Sequence, residues 1–217
     1  MRRALAAEFI GALLLTAAVV GSGIMGERLA GGNAAVALLA NTGATVAALA
    51  TLIAVFGPIS GAHFNPVVTL TALWQRQLTA GQSIAYVGLQ ITGCCAGAVL
   101  ANLMFELPAV QASVHVRDGA AQWLSEVVAT TGLVFIAFSS PSVSAAAWRV
   151  PAWIGAAYWF TASTSFANPA ITVGRSLTDT FAGIRPVDAA GFIVAQIVGA
   201  ILGAFLLRFF ALRRVDA

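Results

Sequence analysis

Two apolar pieces of this chain, Val67–Trp74 and Ile171–Leu177, are each introduced by Asn-Pro and are too short to cross a bilayer. A helix of about ten residues reaches roughly 15 Å, half of a hydrocarbon core near 30 Å. Longer apolar stretches surround them, at about 4–25, 34–57, 82–105, 122–140, 150–164 and 187–211. Each of these is a candidate transmembrane helix. The run that follows Arg2 and Arg3 is too long for a signal peptide and holds Glu8, so it reads as the first span. The expected class is an all-α membrane protein with six transmembrane helices and two re-entrant half-helices.

Composition agrees. Only 9% of the 217 residues are charged, 59% are hydrophobic, and the mean hydropathy is +0.90. Soluble domains carry roughly 25% charge. A soluble enzyme, a disordered chain and a nucleic-acid binder are excluded. Cys94 and Cys95 are adjacent in an apolar run, so they imply packing rather than a disulfide framework.

The chain repeats itself. Gln90, Ile91, Gly93, Gly97, Ala98 and Leu100 recur as Gln196, Ile197, Gly199, Gly203, Ala204 and Leu206, six matches over eleven positions. Asn65-Pro66 recurs as Asn168-Pro169, and Glu8 has a counterpart in Glu126. The halves are about 1–113 and 114–217, within a single domain. Three spans per half is an odd number, so the second half enters the membrane upside down, as an inverted repeat. With both termini inside, seven arginines (2, 3, 76, 149, 208, 213, 214) lie on the cytoplasmic side and four (28, 117, 175, 185) outside. That asymmetry favours cytoplasmic termini, and the expected location is the cell's inner membrane, crossed several times.

Asn caps helices and Pro suits their first position. Asn65-Pro66-Val67 and Asn168-Pro169-Ala170 therefore start helices within the membrane. Irregular backbone ahead of them is tolerated at depth only beside a wet cavity or inside protein. Two helix N-termini at the midplane repel cations, and the Asn amides can serve a passing neutral molecule. His63 reads as a loop brace, with a ligand or relay role as the sharper alternative. The Gly93/Gly97 and Gly199/Gly203 pairs read as close helix crossings. Trp148, Trp153 and Trp159 read as interface or packing aromatics. No catalytic constellation, metal cluster or cofactor motif is evident, so no enzyme is expected.

The run Ser60–Thr69 resembles the first pore-loop signature of the aquaporin and aquaglyceroporin family, and Asn168-Pro169-Ala170 matches the second. Glu8, Glu126, Gln90 and Gln196 stand where that family has them. The resemblance covers the whole chain. It implies a homotetramer in a lipid bilayer, one pore per subunit, passive diffusion, and loop-bracing roles for Glu8 and Glu126. A proton relay is the alternative for the acids.

Two positions depart from the family. Val67 stands in the first motif where the family has Ala, which implies a small change of shape at the waist. Ile171 stands where the family usually has Arg. The family frame places the selectivity filter at Thr45, Ala156 (or its neighbour Ala157), Ser165 and Ile171, with no aromatic and no charge. Such a filter is roomy. It implies a channel for glycerol-like polyols, urea and neutral metalloid hydroxides such as arsenous acid, with similarity to a bacterial branch linked with arsenicals. The alternatives are a water-selective channel and an inverted-repeat secondary transporter. Arg175, one turn beyond Ile171, could lean back toward the missing charge, sit at the outer mouth, or pair with Asp179.

Overall fold

The computed structural model describes residues 1–210; the arginines at 213 and 214 lie outside the described residues. Eight helices follow in chain order: α1 (Arg2–Leu29), α2 (Ala34–Ser60), α3 (Pro66–Trp74), α4 (Ala80–Met104), α5 (Ala120–Ser139), α6 (Val143–Phe160), α7 (Pro169–Arg175) and α8 (Pro186–Phe209). Among the described residues there is no strand.

Local sequence sets the ends of these helices. Asn33 caps α2 by accepting from the backbone N–H groups of Ala35 and Val36. Gly61, left-handed at φ 87°, stops the same helix. Thr79 and Gln82 form a reciprocal capping box on α4. Ser142 caps α6 through Ala145 N–H.

α1, α2, α4, α5 and α8 are long and apolar enough to cross a membrane. α6 is shorter, at 18 residues, and carries Arg149 and Pro151. It begins seven residues before the stretch expected at 150–164, because Ser142 supplies the N-cap and Arg149 hides the apolar pattern. It also ends earlier, at Phe160, where extended backbone at Thr161 enters the second pore loop. α2 likewise runs past its expected end at 57 to Ser60; a proline in its last turn costs little more than one backbone bond.

The long helices pack as two similar groups. α1 crosses α4 at Gly93 and Gly97, where an added Cβ would stand 2.6 Å from Phe9 O and 2.2 Å from Leu13 O. α5 crosses α8 at Gly199 and Gly203, with the same near-contacts at 2.6 Å from Val127 O and 2.7 Å from Thr131 O. Small residues let backbones touch where lipid supplies no hydrophobic drive to associate. Cys94 is buried against this packing, its carbonyl beneath Gly174 of α7, and both cysteines are free thiols. Trp153 packs over Gly132 and donates its indole N–H to Ala129 O at 2.9 Å; Trp148 and Trp159 are exposed on the outside of the bundle.

Candidate functional site: a pore between two half-helices

The short helices α3 and α7 meet tip to tip. Asn65 Oδ1 caps α3 through Val67 N–H (3.1 Å), and its Nδ2 donates across to Ala167 O (2.8 Å). Asn168 Oδ1 caps α7 through the N–H groups of Ala170 (3.0 Å) and Ile171 (3.2 Å), and its Nδ2 donates back to Phe64 O (2.9 Å). Each amide thus secures its own helix and the opposite loop. An amide nitrogen carries two hydrogens, so one donor per asparagine is left for a solute.

A buried carboxylate holds each loop. Glu8 and Glu126 both have 0% exposure. Glu8 accepts from Ser60 Oγ (2.6 Å), the backbone N–H groups of His63 (3.0 Å) and Phe64 (2.8 Å), and Gln90 Nε2 (2.7 Å). Glu126 accepts from Ser163 Oγ (2.6 Å), the N–H groups of Phe166 (2.9 Å) and Ala167 (2.8 Å), and Gln196 Nε2 (2.6 Å). These bonds offset the cost of placing an acid in the bundle. They also fix strained backbone: Ala62, Phe64, Ser165 and Ala167 have φ between 47° and 52°. His63 Nδ1 lies 3.1 Å from Thr69 Oγ1, and its ring packs edge-on to Tyr86.

A cavity passes both tips. Thr45, Ser165, Ile171, His63, Asn65, Asn168 and Arg175 line it, so these predicted positions come together. The prolines and Ala170 are buried behind the wall.

Three expectations need correction. Ala156 lies on the exposed face of α6 and does not line the cavity. Ile154 and Tyr158 do, because residues two apart on a helix point about 200° apart. Val67 does not shape the pore wall; Val68 faces the cavity, while Val67 faces α8. Nor is the outer part of the cavity free of aromatics and charge, since Tyr158, Phe166 and Arg175 line it.

Arg175 leans back along α7, as its register allows. It is 2% exposed, its Nε donates to Ala182 O, and its guanidinium carbon is 3.4 Å from the Phe166 ring centre. It does not pair with Asp179, whose Oδ1 accepts from Val114 N–H. The ion pair among the described residues is Arg185–Asp188, at 2.8 Å. In the cavity wall Tyr158 OH lies 3.4 Å from Thr45 Oγ1. Ser165 Oγ is buried and without a hydrogen-bond partner.

Sequence reasoning missed Arg117, in the loop between α4 and α5. It donates to the carbonyls of Gly183 (2.8 Å), Ser163 (3.4 Å) and Phe181 (3.4 Å), and its guanidinium carbon lies 5.0 Å from the Phe166 ring centre. Burial pushes its pKa down to about 10, which still leaves it charged at neutral pH. Burial and the charges of Arg117 and Arg175 also lower the pKa of nearby His115. Phe166 had one sequence signal: it occupies the place in the second loop that His63 holds in the first.

The sequence pattern of the family described as Major intrinsic protein matches residues 1–162 and, in a second match, 140–216. The chain belongs to the major intrinsic protein family. It is 50% identical to "Aquaglyceroporin AqpS" of Rhizobium meliloti (strain 1021), over 96% of this chain and 90% of that one. It is 30% identical to "Aquaporin A" of Dictyostelium discoideum, over 96% of this chain and 78% of the other. The solved aquaglyceroporin of Plasmodium falciparum shares the fold, with a TM-score of 0.73 over 95% of both chains at 17% identity. Six spans with two half-helices in an inverted repeat is therefore the architecture of this family member, which is a membrane channel for small solutes and not an enzyme.

Proposed function

We propose that the chain conducts small uncharged solutes passively: glycerol-like polyols first, then neutral metalloid hydroxides such as arsenous acid, with water and urea as smaller passengers. The observation that carries this reading is the reciprocal bonding of Asn65 and Asn168 inside one continuous cavity. Two helix N-termini meeting there oppose cations and protons, while the free amide donors serve an oxygen-bearing neutral solute. One half of the residues are shared with a protein named as an aquaglyceroporin, which supports solutes over water alone.

The filter in this reading is Thr45, Tyr158, Ser165 and Ile171, with Arg175 as the charge at the outer mouth. The unpartnered Ser165 hydroxyl, the Tyr158–Thr45 pair and the guanidinium supply polar groups to the wall. Ile154 and Ile171, each one turn before Tyr158 and Arg175 on its own helix, supply apolar surface. A polyol presents both kinds of surface as it passes. Glu8, Glu126 and His63 brace the loops. The chain works as one channel domain of two repeats, about 1–113 and 114–217, in a homotetramer of the inner membrane with both termini cytoplasmic. The arginine asymmetry supports that orientation.

Proteoliposomes loaded against gradients of water, glycerol, urea and arsenous acid test the reading. Glycerol and arsenous acid flux well above protein-free vesicles is expected. Water flux with both solutes excluded would establish a water-selective channel instead, the reading favoured by the aromatic ring of Tyr158 and the charge of Arg175 in the cavity wall. Solute uptake coupled to protons or sodium would establish a transporter.

A further inference from the structure

A second cavity lies outside the pore, between α3 and α8. Val67, Leu70 and Trp74 recur at the spacing of one helix face, and so do Ile197, Ile201 and Phe205. Ala200 and Ala204 leave the room between them. The one hydroxyl in the wall, on Thr71, is bonded back to Val67 O at 2.8 Å. The groove is thus apolar and faces away from the pore. From Ile197 to Phe205 it is about 12 Å long by helical rise, close to the roughly 15 Å depth of a single leaflet. One end lies beside the Asn65 tip. The other is closed by Trp74 against Phe205, ring centres 6.4 Å apart.

Charge marks that closed end. Arg208 follows Phe205 by three residues and Ala204 by four, one turn further along the same face. Arg76 follows the C-cap of α3 with φ 60°. Both are exposed, and neither has an ion pair or side-chain hydrogen bond among the described residues. The described acids offer neither a partner. Glu27, Glu106, Asp118, Asp179 and Asp188 belong to the opposite end of the bundle, and Glu8 and Glu126 are committed to the pore loops. Among the described residues, therefore, this end carries positive charge and no acid.

We propose that the groove holds an acyl chain of one anionic phospholipid, with its phosphate between Arg76 and Arg208. The apolar wall takes the chain and the arginine pair selects the headgroup charge. The site is independent of what the pore conducts.

The full-length protein in detergent, given equal phosphatidylglycerol and phosphatidylcholine of matched chains, tests this by native mass spectrometry. A retained phosphatidylglycerol adduct at least three-fold over phosphatidylcholine is expected. The double variant Arg76→Gln/Arg208→Gln keeps the groove and is expected to lose that preference. Phosphatidylglycerol is also expected to raise the melting temperature more than phosphatidylcholine, in the unmodified protein only. Equal retention of both lipids, an unchanged preference in the double variant, or no bound lipid overturns the proposal. So does capture of a second copy of this chain, in place of lipid, by a photo-reactive side chain at position 205 in membranes.

Discussion

The two pore loops solve one problem identically and then part company. In each, a carboxylate collects one serine hydroxyl, two successive backbone N–H groups and one glutamine amide: Ser60, His63, Phe64 and Gln90 for Glu8; Ser163, Phe166, Ala167 and Gln196 for Glu126. On the cavity side the loops differ. Where the first has His63 beside Tyr86, the second has Phe166 packed on Phe192 and under two guanidiniums. Where α7 has Arg175, the matching place in α3 is Ala72. A closed set of buried hydrogen bonds cannot lose a member cheaply. Side chains facing a cavity carry no such closure and are free to diverge. The pore is therefore symmetric in its support and asymmetric in its charge.

The support should fail in the same way on both sides. Glu8→Ala and Glu126→Ala each take the carboxylate acceptor from two buried N–H groups, a serine hydroxyl and one hydrogen of a glutamine amide that still donates to Thr69 or Thr172, at about 1–3 kcal/mol apiece. Both are expected to abolish recovery of folded, monodisperse protein in size-exclusion chromatography. Glu→Gln retains one carbonyl acceptor and should restore part of it. A soluble, native-like Glu8→Ala beside a lost Glu126→Ala would break the equivalence of the two loops.

Glycine crossings give a graded version of the same test. Gly97→Ala places a methyl 2.2 Å from Leu13 O, and Gly203→Ala places one 2.7 Å from Thr131 O. Both must push helices apart, at a cost of about 1–3 kcal/mol. The expected drop in melting temperature is larger for Gly97→Ala. Equal drops would mean that α1 and α4 yield more readily than α5 and α8.

Much of this was legible in the sequence for a physical reason. Asn-Pro starts, buried acids and GxxxG pairs are local patterns with few structural solutions, and their recurrence 103 to 118 residues later fixes their partners. The helix-cap role of each asparagine follows from its type. Its reach across to the other loop does not, because that depends on how the two halves meet. The cavity wall was harder. Ala156 and Tyr158 differ by half a helical turn, so an offset of two residues in the family frame, one more than the choice between Ala156 and Ala157 allows, is enough to hide a tyrosine. Arg117 was beyond reach, since its partners Ser163, Phe181 and Gly183 lie 46 to 66 residues away in loops without periodicity.

Charge asymmetry is the next point to press. Arg175→Met removes the cation in the outer half while keeping a long apolar side chain against Phe166. A unit charge about 6 Å away opposes a passing cation by roughly 3 kcal/mol at an effective dielectric of about 20. Cation leak in vesicles is expected to rise about ten-fold or more, with little change in water flux. An unchanged leak would assign exclusion to the half-helix tips alone. Ile171→Arg puts a second cation one turn deeper and should lower glycerol flux several-fold more than water flux. Equal loss of both in folded protein would remove Ile171 from the filter.

The smallest expected effect separates neighbours on one helix. Tyr158→Phe deletes the hydroxyl that faces Thr45 Oγ1 at 3.4 Å and keeps the ring. It should shift the glycerol-to-water flux ratio about two- to five-fold, because one polar group of the wall is lost while its width is kept. Ala156→Val adds two methyl carbons to the outer face of α6, away from the cavity. The flux ratio should stay within error, measured on the same vesicles. A shift for Ala156→Val with none for Tyr158→Phe would rotate α6 by half a turn. The aromatic would then leave the pore wall, and the roomier filter read from the family frame would return.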